Sequence, residues 1–320
     1  MSGSALAIAI PTLARLDLLA ATLASISEQT VRDIEVVVVD NASPLDVSGF
    51  VRRRFPGVCV VRSNANLFYA GAVNLGLRET RAPFVAALND DVTLHPRWAE
   101  QVLTTFAQDM AIGAIATKVL QAAAPGLVDS AGSHLDIAGR ATNLGWNEPD
   151  GPAFAHAREV FAPAGSCATF RRSAFEAAGG FDEDFVAYFE DVDLGFRMRL
   201  LGHRCVFQPA ALARHLGGAT PKPRRYALWL MERNMVWNLV KNMPSALLGR
   251  HAMTISAAQA RPTPVLGGGS WPVWANAKAS AWKAPRRLLA KRRRIQRSRR
   301  ISAHDVERLL AIAQVRTCHL

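Results

Sequence analysis

Apolar residues gather in four short runs within residues 1–120, "ALAIAI", "IEVVVVD", "VCVVRS" and "FVAALNDD". Between them the apolar positions recur at helical spacing, so the pattern predicts strand, helix, strand, helix. Runs that are apolar on successive residues, not on alternate ones, suit strands covered on both faces. The predicted class is α/β, a Rossmann-like, mostly parallel sheet flanked by helices. In such sheets ligands sit beyond the carboxyl ends of the strands. The polar residues that close the runs therefore become candidates: Pro11 and Thr12, Asp40 and Asn41, Asn64 and Asn66, and Asn89, Asp90 and Asp91. Asp and Asn also cap turns and helix starts in these places, so each residue carries both readings.

From Ala122 to Phe161 the periodicity fades and Gly, Asp, Asn and Pro become frequent, as in a variable insertion beside a substrate site. Order returns with "FAPAGSCATFRRSAFEAAGGFDEDF", and "HRCVFQPAALARHLGG" predicts a strand that ends at His215. Beyond Thr220, "RYALWLMERNMVWNLVKN" predicts an amphipathic helix, "RPTPVLGGGSWP" breaks it, and a basic run follows. The organisation expected is one α/β domain over 1–220, in halves of 1–120 and 121–220, with a helical, basic C-terminal extension over 221–320.

Charge sharpens that division. The formal net charge is +12, but residues 276–320 alone hold 13 Lys and Arg against 2 Asp and Glu, leaving the body nearly neutral. The basicity peaks in "KAPRRLLAKRRRIQRSRR", Lys283 to Arg300. It lacks interleaved aromatics and a nucleic-acid reading module, so no nucleic-acid partner is expected. A like-charge run is commonly a solvated face; the sharper reading is a patch for an anionic membrane surface. Cys59, Cys167, Cys205 and Cys318 lack the paired spacing of a zinc or redox site and suggest a reducing, cytoplasmic setting. The N-terminus reads as a first strand, not a signal peptide, because no basic segment precedes its apolar run. No uncharged apolar run reaches the roughly 18 residues of a membrane span. Any membrane association is expected to be peripheral.

The most concentrated chemistry lies in "YFEDVDLGFRMRLLG", Tyr188 to Gly202. Glu190, Asp191 and Asp193 fall within four residues, and like charges so close repel unless something uses them. At 100° per residue Asp191 shares a helix side with Leu194, Gly195 and Met198, an unusual place for an acid. Asp193 and Arg197 are four apart and can pair. Glu190 and Asp191 fall in the first turn, where the helix dipole favours negative charge. Capping is thus the plain explanation for those two. The preceding "GGFDEDFVAYF", however, brings two glycines and four aromatics, and a carboxylate in such a wall suits a general base. In "LNDDV", Asp90 and Asp91 point opposite ways from a strand end, leaving one to face a metal while the other binds ligand. Hard oxygen donors suit Mg²⁺ or Mn²⁺, and His215 offers a nitrogen ligand, although a lone His is more often structural. No GxxxxGK[ST], GxGxxG or GxSxG motif is present where a P-loop, dinucleotide or hydrolase site needs one.

The order of "IPT", "VVVVDNAS", "NANLFYAGAVNLG", "ALNDDV", "AGSCATFRRSAFEAAGGFDEDFVAYFEDVDLGFRMRLLGHRC", "ARHLGG" and "ERNMVWNLVKN" resembles the family 2 inverting glycosyltransferases of the GT-A fold. The likeness is greatest to their bacterial rhamnosyltransferase-like group and spans about residues 6–242, with "KRRRIQRSRRISAHDVERLL" resembling that group's tails. It implies a nucleotide-sugar half over 1–120 and an acceptor half over 121–220. Pro11, Thr12, Asp40 and Asp90 would contact the nucleoside of a nucleoside-diphosphate sugar donor, and Asn66 and Asn74 fall in the donor-side loop and helix. Asp91 would hold Mg²⁺ or Mn²⁺ on the diphosphate with help from His215. Asp191 would be the catalytic base, with Glu190 orienting it or the acceptor. The acceptor implied is a saccharide or lipid-linked one. Three positions depart from the family pattern: Ala14 and Val73 where Asn is usual, and Phe68 where Gly is usual. Those departures keep open a degenerate fold that serves as a binding module. A sugar nucleotidyltransferase is the other alternative, but "PTLARLD" lacks the glycine its loop requires.

Overall fold

In a computed structural model that describes residues 3–13, 15–217, 223–263 and 271–311, the four apolar runs become strands β1 (Leu6–Thr12), β2 (Ile34–Asn41), β3 (Cys59–Ser63) and β4 (Phe84–Leu88). Helices α1 (Leu16–Ser27), α2 (Val47–Arg54) and α3 (Phe68–Arg78) connect them. β1 pairs in parallel with both β2 and β4, and β2 with β3. β3 departs from the expectation of two covered faces: it ends the sheet, and Cys59 and Arg62 are exposed on it. Next come β5 (Val92–Leu94), α4 (Trp98–Gln108) and β6 (Ile112–Gln121). The aperiodic segment holds four short strands, β7 (Val128–Ser130), β8 (Ser133–Leu135), β9 (Ala141–Asn143) and β10 (Arg158–Glu159). β11 (Cys167–Arg171), α5 (Arg172–Ala178), α6 (Glu190–Leu200) and β12 (Arg204–His215) follow.

The sheet order is β10-β12-β6-β11-β4-β1-β2-β3. β11 runs antiparallel between β4 and β6, and β6 is parallel to β12. The ends of β1, β2, β4, β6 and β12 therefore share one rim. β5 turns back along the end of β12, setting Val92 opposite His215, and the Leu216 N–H donates to the Asp91 carbonyl at 3.1 Å. That crossing brings together Asp91 and His215, two rim residues 124 positions apart in sequence.

Beyond the sheet lie α7 (Arg224–Asn242), α8 (Ser245–Arg250), α9 (Ala252–Gln259), α10 (Trp271–Ala281), α11 (Pro285–Ser298) and α12 (Ala303–Ala311). They share an apolar core with the acidic helix: Phe185, Phe189, Val192 and Phe196 pack in one cluster with Met235, Leu239, Ile295 and Val306. The expectation of a simple amphipathic α7 fails on its polar residues. Glu232, Arg233, Asn234, Asn238, Lys241 and Asn242 are all buried. The basic run is likewise partly spent inside the molecule. Lys291 donates to Asp182 and Asp184 at 2.5 Å each, and Arg287 bonds Asp184. Arg292 donates to the Val240 and Met243 carbonyls at 2.5 and 2.7 Å, satisfying the end of α7. Arg286, Arg293 and Arg297 remain exposed on one side of α11, near exposed Trp282 and Leu289.

The deepest polar contact joins α6 to α7. Arg197 grips Asp193 through Nε at 2.9 Å and a terminal nitrogen at 2.7 Å. On the other carboxylate oxygen Asp193 meets Lys241 Nζ at 2.8 Å and Asn242 at 2.8 Å, and Lys241 also bonds Asp182. Asp193 is fully buried and Lys241 is 1% exposed. Burial opposes the charge on Asp193, but Arg197 and Lys241 outweigh it and hold the carboxyl below its ordinary range. Burial likewise opposes the charge on Asp182, and Lys241 and Lys291 hold it low. Removing one partner strands the others in a dry interior, so Lys241→Met is expected to cost about 3–5 kcal/mol in urea unfolding. Because both carboxyls are depressed on folding, their stabilisation is complete above about pH 4 and is lost as pH falls toward the lowered values. The difference between wild type and Lys241→Met should therefore narrow in acid.

Candidate active site

On the rim, Thr12 Oγ1 donates to Asp90 Oδ2 at 2.6 Å, tying the end of β1 to the end of β4. Pro11 precedes it on the same strand end. Burial pushes the Asp90 carboxyl up to about 6, with the neighbouring Asp91 adding to the rise and the Thr12 hydroxyl opposing it. Asp91 is buried, and its Oδ1 makes no hydrogen bond although His215 Nε2 lies 3.3 Å away. The other ring nitrogen of His215, Nδ1, is 3.0 Å from Asp129 Oδ2. Burial disfavours charge on His215, but the carboxylates of Asp129 and Asp91 prevail and raise it to about 9. An imidazole held by a carboxylate on one nitrogen, with the other facing a second acid, is the usual arrangement of a metal-ligating His. Asp91 Oδ1 and His215 Nε2 thus fit a divalent ion. Among the described residues no group of three or more His, Cys, Asp or Glu is placed to hold one unaided. Mg²⁺ and Mn²⁺ keep waters and substrate phosphate oxygens in their shell, so one such ion would take part of its coordination from the donor.

The surroundings of Asp191 are built from α6 and the segment before β11. Asp191 Oδ2 accepts the Gly165 N–H at 2.7 Å, and its Oδ1 accepts the Val192 N–H at 2.8 Å. Next to Gly165, the Ser166 carbonyl accepts the Asn89 N–H at 3.0 Å, so the Asp191 anchor is one residue from the strand end carrying Asp90. Burial raises the Asp191 carboxyl against the lowering effect of those two amides, although the residue as a whole is only half-buried. Neither Glu190 nor Asp191 occupies the cap of α6: that position is Phe189, in left-handed backbone and with no capping side-chain bond. Glu190 is buried beside Asp191. Tyr69, from α3, donates its hydroxyl to the Gly165 carbonyl. Burial drives the Tyr69 phenol well up, and the charges of Glu190 and Asp191 add to it.

Other candidates are occupied differently. Asp40 is buried, bonded to Arg62 and accepting the Ser43 N–H at 2.8 Å, so it also braces a turn. Asn66 Oδ1 accepts from Asn41 Nδ2 at 3.0 Å and from the Phe68 N–H at 2.7 Å, fixing the loop that opens α3. Asn74 does not join the rim. Its amide bonds both the N–H and the carbonyl of Phe181 and reaches Glu183, so it ties α3 to the GGFDE turn. Its place one helical turn and more below the start of α3 explains the departure. Asp129, Tyr69, Gly165 and Arg62 escaped the sequence reading. Asp129 lies in the aperiodic segment, where no local pattern marks it.

Residues 7–179 match the family model described as Glycosyl transferase family 2. The chain belongs to the family 2 glycosyltransferases. It is 30% identical over 222 residues to the N-acetylglucosaminyl-diphospho-decaprenol L-rhamnosyltransferase of Mycobacterium tuberculosis, covering 60% of this chain and 70% of that one. Its fold is that of GalNAc-T7 solved with UDP, GalNAc and Mn²⁺ (TM-score 0.63, 14% identity, 88% of this chain and 55% of that one). It is also that of the mannosyltransferase PcManGT from Pyrobaculum calidifontis in complex with GDP-Man and Mn²⁺ (TM-score 0.53, 18% identity, 96% and 88%). The GT-A architecture and the helical C-terminal region expected from the sequence are both present.

Two departures of this glycosyltransferase from its family pattern acquire physical reasons. Phe68 adopts φ +56°, a left-handed conformation that glycine reaches freely and that costs another residue about 1–2 kcal/mol. Asn41 Nδ2 donates to the Phe68 carbonyl at 3.1 Å and helps hold it there. Val73 is fully buried in the apolar layer under α3, where an amide would need partners. Ala14 lies outside the described residues. On α6, Gly195 lets the helix lie against the Phe161–Ala162 segment, since a Cβ there would fall 2.3 Å from the Ala162 Cβ. Gly195→Ala is expected to lift α6 and cost about 1–3 kcal/mol in a chemical-denaturation midpoint, with a parallel fall in transfer rate.

Proposed function

We propose that the protein is a divalent-metal-dependent inverting glycosyltransferase that moves a sugar from a nucleoside-diphosphate donor to a polysaccharide or lipid-linked acceptor. dTDP-rhamnose or a UDP-sugar is the donor class, a reading supported by the rhamnosyltransferase relative and by the nucleotide and Mn²⁺ bound in the fold neighbours. The observation that carries it is the placing of Asp191, a carboxylate made more basic by burial and anchored one residue from the Asp90 strand end. Pro11, Thr12, Asp40 and Asp90 would bind the nucleoside. Asp91 and His215 would hold Mg²⁺ or Mn²⁺, which when bound supplies positive charge for the departing diphosphate. The acceptor hydroxyl oxygen bonds to the anomeric carbon as the carbon–oxygen bond to the diphosphate breaks. Its proton passes to Asp191 and the bonding pair leaves with the diphosphate; attack opposite the leaving group inverts the centre. An alcohol is far less acidic than a carboxylic acid, so Asp191 takes the proton only as the new bond forms. Glu190 orients the base or the acceptor.

Asp191→Asn should fold like wild type by circular dichroism and lose transfer about 10²–10⁴-fold. In wild type, kcat should fall on the acid side at a pH above the ordinary carboxylate range, because burial raises the group that must be unprotonated. Near-normal turnover by folded Asp191→Asn would remove the base.

The body over 1–220 is read as the catalytic domain and 221–320 as a region that meets the cytoplasmic face of a membrane. Among the described residues no helix is long and apolar enough to cross one. Exposed Arg286, Arg293 and Arg297 with Trp282 and Leu289 would rest on anionic head groups, each charge contributing roughly 1 kcal/mol. Cosedimentation with anionic liposomes should weaken as salt shortens the roughly 8 Å screening length, and should be lost in the triple Glu variant of those arginines. Salt-insensitive binding would discredit the electrostatic contact.

A further inference from the structure

The backbone that delivers Asp191 is bent against its own preference. Val186, Tyr188 and Phe189, none of them glycine, have φ of +68°, +64° and +69°. Each such residue is strained there, and the segment keeps that shape only where its surroundings over-determine it. Those surroundings are side chains of α7. Asn234 is fully buried, and its amide nitrogen lies 2.9, 2.8 and 2.7 Å from the carbonyl oxygens of Phe185, Ala187 and Tyr188. An amide nitrogen carries only two hydrogens, so three acceptors sharing them require the carbonyls to converge. The Asn234 Oδ1 is set in turn by Arg233 Nε at 2.9 Å. A terminal nitrogen of Arg233 donates to the Asp184 and Phe185 carbonyls at 2.9 and 3.0 Å.

We propose that Asn234 is a positioning residue for the reaction: by gathering the carbonyls of residues 185, 187 and 188 it imposes the left-handed turn that starts α6 and brings the Asp191 carboxylate onto the Gly165 N–H. The role rests on the reading of Asp191 as the base, but the clamp itself does not. Apolar packing alone would not supply it. Phe185 packs against Trp237 at 6.1 Å between ring centres, which fixes the ring's position and leaves the direction of the carbonyls free. Converging carbonyls demand a donor at their focus.

Two measurements on Asn234→Ala test it. Amide hydrogen exchange should quicken at least tenfold at Gly165 and across residues 185–193, while β1 and β4 keep wild-type protection. In transfer assays kcat should fall at least tenfold with donor KM unchanged within twofold, because the donor side is built from other strands. The acid limb of the pH–rate profile should also move toward the ordinary carboxylate range as Asp191 meets more water. Should Asn234→Ala fail to fold, Asn234→Ser, which keeps one donor, is read by the same measurements and should show smaller changes of the same kind. Unchanged exchange, or quickened exchange with unchanged kcat, overturns the proposal even if Asp191→Asn abolishes transfer. If Asp191→Asn keeps near-normal transfer while exchange quickens in Asn234→Ala, the Asn234 clamp stands and the base assignment falls instead.

Discussion

Three acids within four residues repel one another, and the fold resolves that repulsion by giving each a separate environment. Asp193 goes into the core, where Arg197 and Lys241 share it. Asp191 turns to the backbone of Gly165 and stays half-buried. Glu190 is buried, and its charge acts on Tyr69 and Tyr188. The buried charge of Asp193 is the constraint on which the rest depends. Arg197 from its own helix and Lys241 and Asn242 from α7 hold it ionised, and α10 and α11 pack against α7. The C-terminal helices are consequently part of what positions α6 and, with it, Asp191.

The same constraint explains the unusual composition of α7. A helix that buries Glu232, Arg233, Asn234, Asn238, Lys241 and Asn242 gains little from burying apolar area along that side. Its polar groups instead satisfy backbone and carboxylates of the turn before α6, where left-handed residues leave carbonyls without regular helical partners. Polar satisfaction of this kind specifies one arrangement, since a shifted helix would leave several buried groups unpaired at about 1–3 kcal/mol each.

Much of this was legible from the sequence. Four strands, the rim, the i,i+4 pairing of Asp193 with Arg197 and the strand ending at His215 follow from local periodicity, which one chain suffices to show. What local pattern could not show was partnership at long range. The Asp129 contact to His215, the Tyr69 contact to Gly165 and the α7 contacts to residues 184–188 each join positions that only the sheet order and helix packing bring together. Asn74 shows a related case: its place in a motif-like stretch suggests the donor, and the structure adds a contact to Phe181 that the stretch does not announce. The basic run shows a third case, for composition reports charge without saying that Lys291 and Arg292 are already engaged.

The proposed reaction requires a donor-side metal and an acceptor-side base facing one cleft. The most direct measurement is a crystal structure of the protein soaked with Mn²⁺ and a nucleoside diphosphate, with anomalous data collected at the manganese edge. A single strong peak within coordination distance of Asp91 Oδ1 and His215 Nε2, bridged to the diphosphate and facing Asp191 across the cleft, is the predicted result. A peak elsewhere, such as at Asp182 and Asp184, or a nucleotide bound away from Thr12 and Asp90, would contradict it.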